Sequence, residues 1–399
     1  MSSSKIKILF IHHVGILGGS SRSLFENIKI LQHYNFDIHV LLPEGDFSKL
    51  LVENKFKVIT LIGVSQFDNC EYSYYRGFRW LILLRELFYF FPTIFKLIKC
   101  KKKWGKFDIV HINDITMSII SLIIKKIRLS ENIVLHVRAV QRRRNNIQKQ
   151  IVNFFVKNFV DLLICINKNV SKSVDFDTKK IIVHNSYQHT HQVYSKDNTT
   201  ELAIGMVGTL TKSKGCIDFV KAAYYCKTKG YNKIKFLLIG GSVRKNKNIF
   251  LKNLLNFFKL DEDVYDEIIT LIDYYDLKSI VKINNFTNNL DNVYSKMDVL
   301  CFPSYLNAPG RPIMEAGFFR VPSISCIDNP INDTFIDGKT GFSITPGDYK
   351  SLANKIIYFY NNPKKRQEMG LNVYKLSIKN FDPLINIKKL IKAYEIFKE

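Results

Sequence analysis

Glu315 lies in the stretch Pro303-Ser-Tyr-Leu-Asn-Ala-Pro-Gly-Arg-Pro-Ile-Met-Glu-Ala-Gly-Phe-Phe-Arg-Val-Pro322. A carboxylate near the start of a helix is favoured by the helix dipole, and it can accept hydrogen bonds from a diol. Before it runs Met297-Asp-Val-Leu-Cys-Phe302 and after it Pro322-Ser-Ile-Ser-Cys-Ile327, both with the pattern of strands buried on two faces. The loop between, Asn307 to Pro312, uses Gly310 for backbone freedom. Open α/β sheets bind ligands where a strand hands over to a helix. The same residues also describe a plain capped connection with an ordinary N-terminal glutamate.

A second loop, Gly208-Thr-Leu-Thr-Lys-Ser-Lys-Gly215, follows the strand Ile204 to Val207 and precedes a helix. Terminal glycines, Lys212 and Lys214, and a helix N-terminus behind them suit a phosphate: the helix supplies amides and dipole, lysine the charge. The loop is not a Walker A sequence, and no Gly-x-Gly-x-x-Gly occurs in the chain. A solvated turn with surface lysines has the same composition. Gly18-Gly19, in the loop His12 to Ser20, precedes a helix and either lets the backbone approach a ligand or makes a tight turn. His136 and Arg138 share one face of a strand by the two-residue period. Arg138, at the strand end, suits a phosphate or an acidic acceptor. His136 reads equally as a satisfied core histidine. His111 and Asp114, after the preceding strand, are candidates of the same type.

These stretches resemble the family 4 retaining glycosyltransferases, whose Pro-Ser-x-x-Glu-x-x-Gly-x-Pro-x-x-Glu-Ala run is matched by Pro303, Ser304, Gly310, Pro312, Glu315 and Ala316. The resemblance implies that Glu315 holds the ribose of a nucleotide-sugar donor. The family's first acid, which touches sugar hydroxyls, is Asn307 here, and Arg320 stands where the family usually has glycine. Lys214 matches the lysine that the family sets against the donor pyrophosphate. Thr209 replaces its arginine partner, leaving Lys212 or Arg311 to substitute. The family's Gly-Gly loop faces the donor phosphates, which points to Gly19, and His136 is the nearest match to a histidine that reaches the donor sugar. The implied activity is retaining transfer of a sugar from a nucleoside diphosphate sugar to a hydroxyl of a glycan or lipid-linked acceptor in bacterial surface polysaccharide synthesis. Lys214 would be catalytic, with His136 and Arg138. Neither a metal nor a cofactor is implied, the nucleotide sugar being a substrate.

Strands alternating with helical stretches imply βαβ units: an α/β chain of two Rossmann-like domains with parallel sheets facing a cleft, which is also the family's GT-B architecture. The expected division is an acceptor-binding domain over 1–185, a polar linker over 186–200, a donor-binding domain over 201–375, and a C-terminal helix over 376–399 that packs back toward the first domain. One helix is expected around Thr116 to Ile127, another around Ile249 to Phe258, and further ones over Tyr349 to Asn361 and from about Pro383.

The chain has 399 residues, enough for two cores, and 46% of them are hydrophobic, which excludes a disordered chain. A formal net charge of +24 fits three polyanionic partners, nucleic acid, an anionic membrane or phosphorylated small molecules, while part of the excess reads as solvated surface in a chain rich in Ile, Lys and Asn throughout. The seven cysteines form no Cys-x-x-Cys pair, which suggests buried thiols in a reducing compartment. The most lipid-like stretch, Trp80 to Ile98, is broken by Arg85, Glu86, Pro92 and Lys96, short of the ~18 uninterrupted apolar residues of a spanning helix. Aromatic residues from Leu87 to Phe95 followed by Lys99, Lys101, Lys102 and Lys103 resemble an interfacial anchor for anionic lipid, or a core helix followed by a solvated charge run. A second basic knot lies at Arg142 to Arg144. The expected location is cytoplasmic, peripheral on the inner face of the membrane. Three other readings stay open: a nucleic-acid-binding protein, for which no recognition motif is present; a sugar-binding protein that has lost catalysis; and a nucleotide-sugar epimerase.

Overall fold

The computed structural model describes residues 5–71, 75, 80–144, 146–175, 177–189, 201–241, 263–285, 287, 289–306 and 309–397. The chain divides into two compact units, Met1–Gln188 with Asp382–Glu399, and His189–Phe381. The helical residues expected around Ile249 to Phe258 and linker residues 190–200 lie outside the described residues.

Unit 1 runs β1 (Ile6–Ile11), α1 (Gly19–Leu31), β2 (Phe36–Pro43), α2 (Asp46–Glu53), β3 (Lys57–Leu61), α3 (Ile82–Trp104), β4 (Ile109–Ile112), α4 (Ile120–Lys126), β5 (Asn132–Val137), α5 (Ile147–Phe159), β6 (Leu162–Cys165), α6 (Lys168–Ser173) and β7 (Lys180–Ile182). Its sheet is parallel, in the order β3-β2-β1-β4-β5-β6-β7. Strand residues alternate between two cores. Leu9 and Ile11 pack with Leu97 and Cys100 of α3 and with Val152 and Val156 of α5, while Ile8 and Phe10 pack with Leu24 and Ile28 of α1. The helix expected from Thr116 to Ile127 is instead a 3-10 turn, Ile115–Met117, and then α4. Asp114 ends the strand's exit by accepting from the Thr116 amide at 3.0 Å and its hydroxyl at 2.9 Å, which fixes the tighter turn.

Unit 2 runs β8 (Leu202–Val207), α7 (Cys216–Thr228), β9 (Ile234–Ile239), α8 (Tyr265–Tyr274), β10 (Val281–Asn284), α9 (Leu290–Ser295), β11 (Val299–Phe302), α10 (Arg311–Gly317), β12 (Ser323–Ser325), β13 (Gly341–Ser343), α11 (Tyr349–Asn361) and α12 (Pro363–Phe381). Its sheet, also parallel, has the order β10-β9-β8-β11-β12-β13. The chain then returns to unit 1 as α13 (Pro383–Glu395), started by Asp382, whose side chain accepts from the amides of Leu384 and Ile385, each at 2.9 Å. Ile387, Leu390 and Tyr394 of α13 complete the second core of unit 1. In each sheet the strand order reverses once, between β1 and β4 and between β8 and β11, and such a reversal opens a crevice at the C-terminal strand ends.

Candidate active site

The two loops singled out in the sequence leave the two strands that flank the reversal in unit 2: Gly208 follows β8 and Pro303 follows β11. They are joined directly. The Ser213 carbonyl accepts from the Tyr305 amide at 3.0 Å and the Ser304 hydroxyl at 3.3 Å. Tyr305 reaches back to Asp218, in the first turn of α7, at 2.7 Å, and burial together with that carboxylate pushes its hydroxyl up to about 12. Gly215 turns the chain into α7 with φ +76°, and a Cβ there would lie 2.1 Å from the Pro303 carbonyl oxygen. Both the left-handed conformation and the backbone approach demand glycine.

Lys214 sits inside this junction, half-buried, its ammonium 5.2 Å from the centre of the Phe302 ring. Burial lowers its pKa. Among the described residues no carboxylate pairs with it. A cation held off water without an internal counter-charge is stabilised by an anion from outside the chain. Lys212 and Thr209, on the same loop, are exposed.

Gly310 abuts the same phenyl ring. Its φ is −81°, an ordinary value, so the expected need for backbone freedom is replaced by a need for space: a Cβ would lie 2.4 Å from the Phe302 ring. Glu315 is only 3% exposed. One carboxylate oxygen accepts from Arg311 Nε at 2.8 Å and the other from the Tyr294 hydroxyl at 2.7 Å. Arg311 is thus tied to Glu315 across one helical turn. Asn307 lies outside the described residues. Tyr294 was not anticipated: it belongs to α9, and nothing in its local sequence marks it as the partner of a distant acid.

In unit 1 the polar residues gather at the ends of β1, β4 and β5. Arg138 donates to the Asn113 carbonyl at 2.8 Å, to Asn113 Oδ1 at 2.6 Å and to Asn185 Oδ1 at 3.1 Å. It also reaches His136 Nδ1 at 3.4 Å. A guanidinium can only donate, so His136 Nδ1 accepts, and the neutral ring carries its proton on Nε2. His111 Nε2, 3.3 Å from that Nδ1, then donates, and His111 Nδ1 accepts from the Tyr394 hydroxyl at 2.6 Å. Burial, and next the charge of Arg138, lowers His111 to about 3 and His136 well below its usual value. Both are neutral near pH 7. His136 is 3% exposed, and its Nε2 has no partner among the described residues. Gly19 is the exposed first residue of α1, whose N-cap, Gly18, supplies no side-chain cap.

Lys99, Lys102 and Lys103 are exposed in the last turns of α3, whereas Lys101 donates to the Ile127 carbonyl at 2.6 Å and caps the end of α4. Lys214, Thr209, Lys212, Gly310, Arg311 and Glu315 therefore gather at one strand reversal in unit 2. His136 and Arg138 stand at a strand end of unit 1 and Gly19 at the start of α1, and the lysine cluster is a separate feature.

HepE of Anabaena, solved with UDP and glucose, superimposes on 98% of this chain and 99% of its own with a TM-score of 0.73 at 17% identity. Sucrose-phosphate synthase of Thermosynechococcus elongatus does so with a TM-score of 0.71 at 15% identity, over 98% of each chain. These likenesses show a shared fold, the GT-B arrangement of two Rossmann-like domains. A capsular polysaccharide biosynthesis glycosyltransferase, CapM of Staphylococcus aureus, is 28% identical over 204 residues, 51% of this chain and 48% of that protein. Residues 188–376, nearly the whole of unit 2, match the family of glycosyl transferases group 1. Over unit 2 this chain is therefore similar to the group 1 glycosyl transferases.

Proposed function

We propose that the protein is a retaining, family 4 type glycosyltransferase that moves a sugar from a nucleoside diphosphate sugar to a hydroxyl of a glycan or lipid-linked acceptor in surface polysaccharide synthesis. The observation that carries this reading is Lys214, a half-buried ammonium without a carboxylate partner among the described residues, between two glycine-bearing loops at the strand reversal of unit 2. The similarity to CapM, named for capsular polysaccharide biosynthesis, supports the pathway.

In this reading Lys214 and the first amides of α7 hold the donor's diphosphate, and Glu315 receives the ribose, with Arg311 released from it or shared. As the bond from the anomeric carbon to the β-phosphate oxygen breaks, charge grows on the diphosphate, where the preorganised ammonium and amides stabilise it. The acceptor oxygen bonds to the same face of that carbon, and its proton passes to the departing phosphate. No metal is needed to balance the charge. Gly19 and Arg138 are the unit 1 groups assigned to phosphate or acceptor. His136, buried behind Arg138, holds that guanidinium in place. The exposed Lys99, Lys102 and Lys103 bring the protein to the inner face of an anionic membrane.

Thermal shift against a panel of nucleoside diphosphate sugars identifies the donor, because a ligand that binds only the folded state raises its melting point. Transfer from that donor to a hydroxyl acceptor, with Lys214→Ala slower by about a hundredfold or more, is the expected result. A wild-type protein that binds no nucleotide sugar, or a Lys214→Ala variant that turns over normally, would overturn it.

A further inference from the structure

We infer that α3 is a lipid-penetrating helix, whose outer apolar face enters the acyl region of an anionic leaflet rather than only resting on its headgroups. The inference deepens the membrane clause of the proposed function but stands on the surface of this one helix. Leu84, Leu87, Phe88, Phe91 and Phe95 follow the three- and four-residue spacing of a single helical face, and each is 62–69% exposed. The opposite face buries Glu86, Thr93, Leu97 and Cys100 against unit 1. Isolated apolar side chains on a surface need no explanation, but a continuous row of five does. The row is about 16 Å long by helical rise, too short to cross a bilayer and long enough to lie in its interface. Among the described residues no helix is long and apolar enough to cross a membrane.

Charge selects the occupant. The same face continues past Phe95 into Lys99 and Lys102, both exposed, with Lys103 beside them, so the apolar row gives way to ammonium groups at one end. That polarity matches acyl chains bordered by anionic headgroups. A second copy of the chain, carrying the same formal charge of +24, would be repelled.

The helix is also fixed at a definite edge of unit 1. Glu86 and Thr93 accept from the amides of Gln66 and Ser65, just beyond the C-terminal end of β3, at 2.8 and 3.2 Å. At the other end the Trp104 carbonyl accepts from Lys7, near the start of β1. The apolar half of α3 therefore lies at the strand ends that carry Arg138. Ile147 and Phe154 of α5, on the same side of the sheet, add further exposed apolar surface starting at that edge. The leaflet meets unit 1 where an acceptor tethered by a lipid tail could reach Arg138 without leaving the membrane.

The test uses the full chain with phosphatidylcholine–phosphatidylglycerol vesicles. The triple variant Phe88→Ser, Phe91→Ser, Phe95→Ser removes exposed groups only. It should bind vesicles about tenfold or more weakly and be released by high salt that leaves the wild type bound. Phe91→Trp should fluoresce to the blue on binding and be quenched by bromine on the acyl chains. Binding without quenching, and equally salt-sensitive in both proteins, would reduce the helix to a headgroup contact. A wild-type dimer that the triple variant converts to a monomer, with vesicle binding unchanged, would make the face an interface between copies. Either result overturns the inference. Donor-induced thermal shift, measured on the same proteins, keeps the two readings separate: its absence sinks the glycosyltransferase reading and leaves lipid insertion standing.

Discussion

Glu315 has both oxygens engaged, one by Arg311 and one by Tyr294, and a ribose bound as proposed would compete with or add to these bonds. Tyr294 is fully buried, and its hydroxyl holds one carboxylate oxygen, so in the proposed site it positions Glu315 rather than touching the ligand. Hydrogen bonds to charged groups are worth about 1.5–3 kcal/mol, or roughly ten- to a hundredfold in binding. Glu315→Gln should therefore weaken a nucleoside diphosphate by about that factor, while its 2′,3′-dideoxy analogue loses little. Tyr294→Phe should narrow the gap between the two ligands in the same direction. Calorimetric titration of both ligands checks this. Equal weakening of the two by Tyr294→Phe would assign the tyrosine to packing alone, and an unchanged gap in Glu315→Gln would remove the ribose role.

At the scale of elements, Phe302 is the shared wall of the site, since Gly310 touches its ring and the Lys214 ammonium stands over it. An alanine at 310 suits the backbone but not the space, and the ring must move. Gly310→Ala should cost donor affinity by displacing Phe302 beneath Lys214, and the added Phe302→Leu should restore part of the loss. A double-mutant cycle that shows no coupling would contradict this, because residues in contact are expected to couple. The loops themselves could be read in the sequence, because apolar runs such as Val299–Phe302 are buried along their whole length and glycines punctuate the connections after them. What could not be read is what lies across them: the Ser213 carbonyl that fastens one loop to the other, and Tyr294 behind Glu315. Such contacts depend on the packing of distant elements, not on local pattern. Gly310 was visible as a special position, but for the wrong physical reason. α3 was visible as an apolar stretch that could be a core helix followed by a charge run, but not as one helix of 23 residues that carries Pro92 and the lysines together. Pro92 leaves the Phe88 carbonyl without its usual amide donor, and Thr93 donates its hydroxyl to the neighbouring Tyr89 carbonyl at 2.7 Å.

On the scale of the whole molecule, the two units differ in how they should answer acid. Among the described residues, the histidines whose pKa burial lowers, His12, His13, His39, His111 and His136, lie in unit 1. Unfolding exposes them, and below pH ~6.5 an exposed histidine takes up a proton that the folded state refuses. The unfolded state then binds more protons, so stability is full above that pH and falls as pH drops toward the folded value, about 3 for His111. By pH 5 His111 alone should cost about 2 kcal/mol, which for a unit of this size lowers the melting point by about 4–8 °C. Most carboxylates are still ionised at that pH, so the histidines dominate the change. Both tryptophans, Trp80 and Trp104, lie in unit 1, so their fluorescence reports on that unit, whereas far-ultraviolet circular dichroism reports on both. Between pH 7 and pH 5 the tryptophan-monitored transition should move down while a later dichroism transition stays in place, and His111→Gln should flatten the dependence by one proton. Parallel shifts in both signals, or a tryptophan transition that ignores pH, would mean that the buried histidines of unit 1 do not govern its stability.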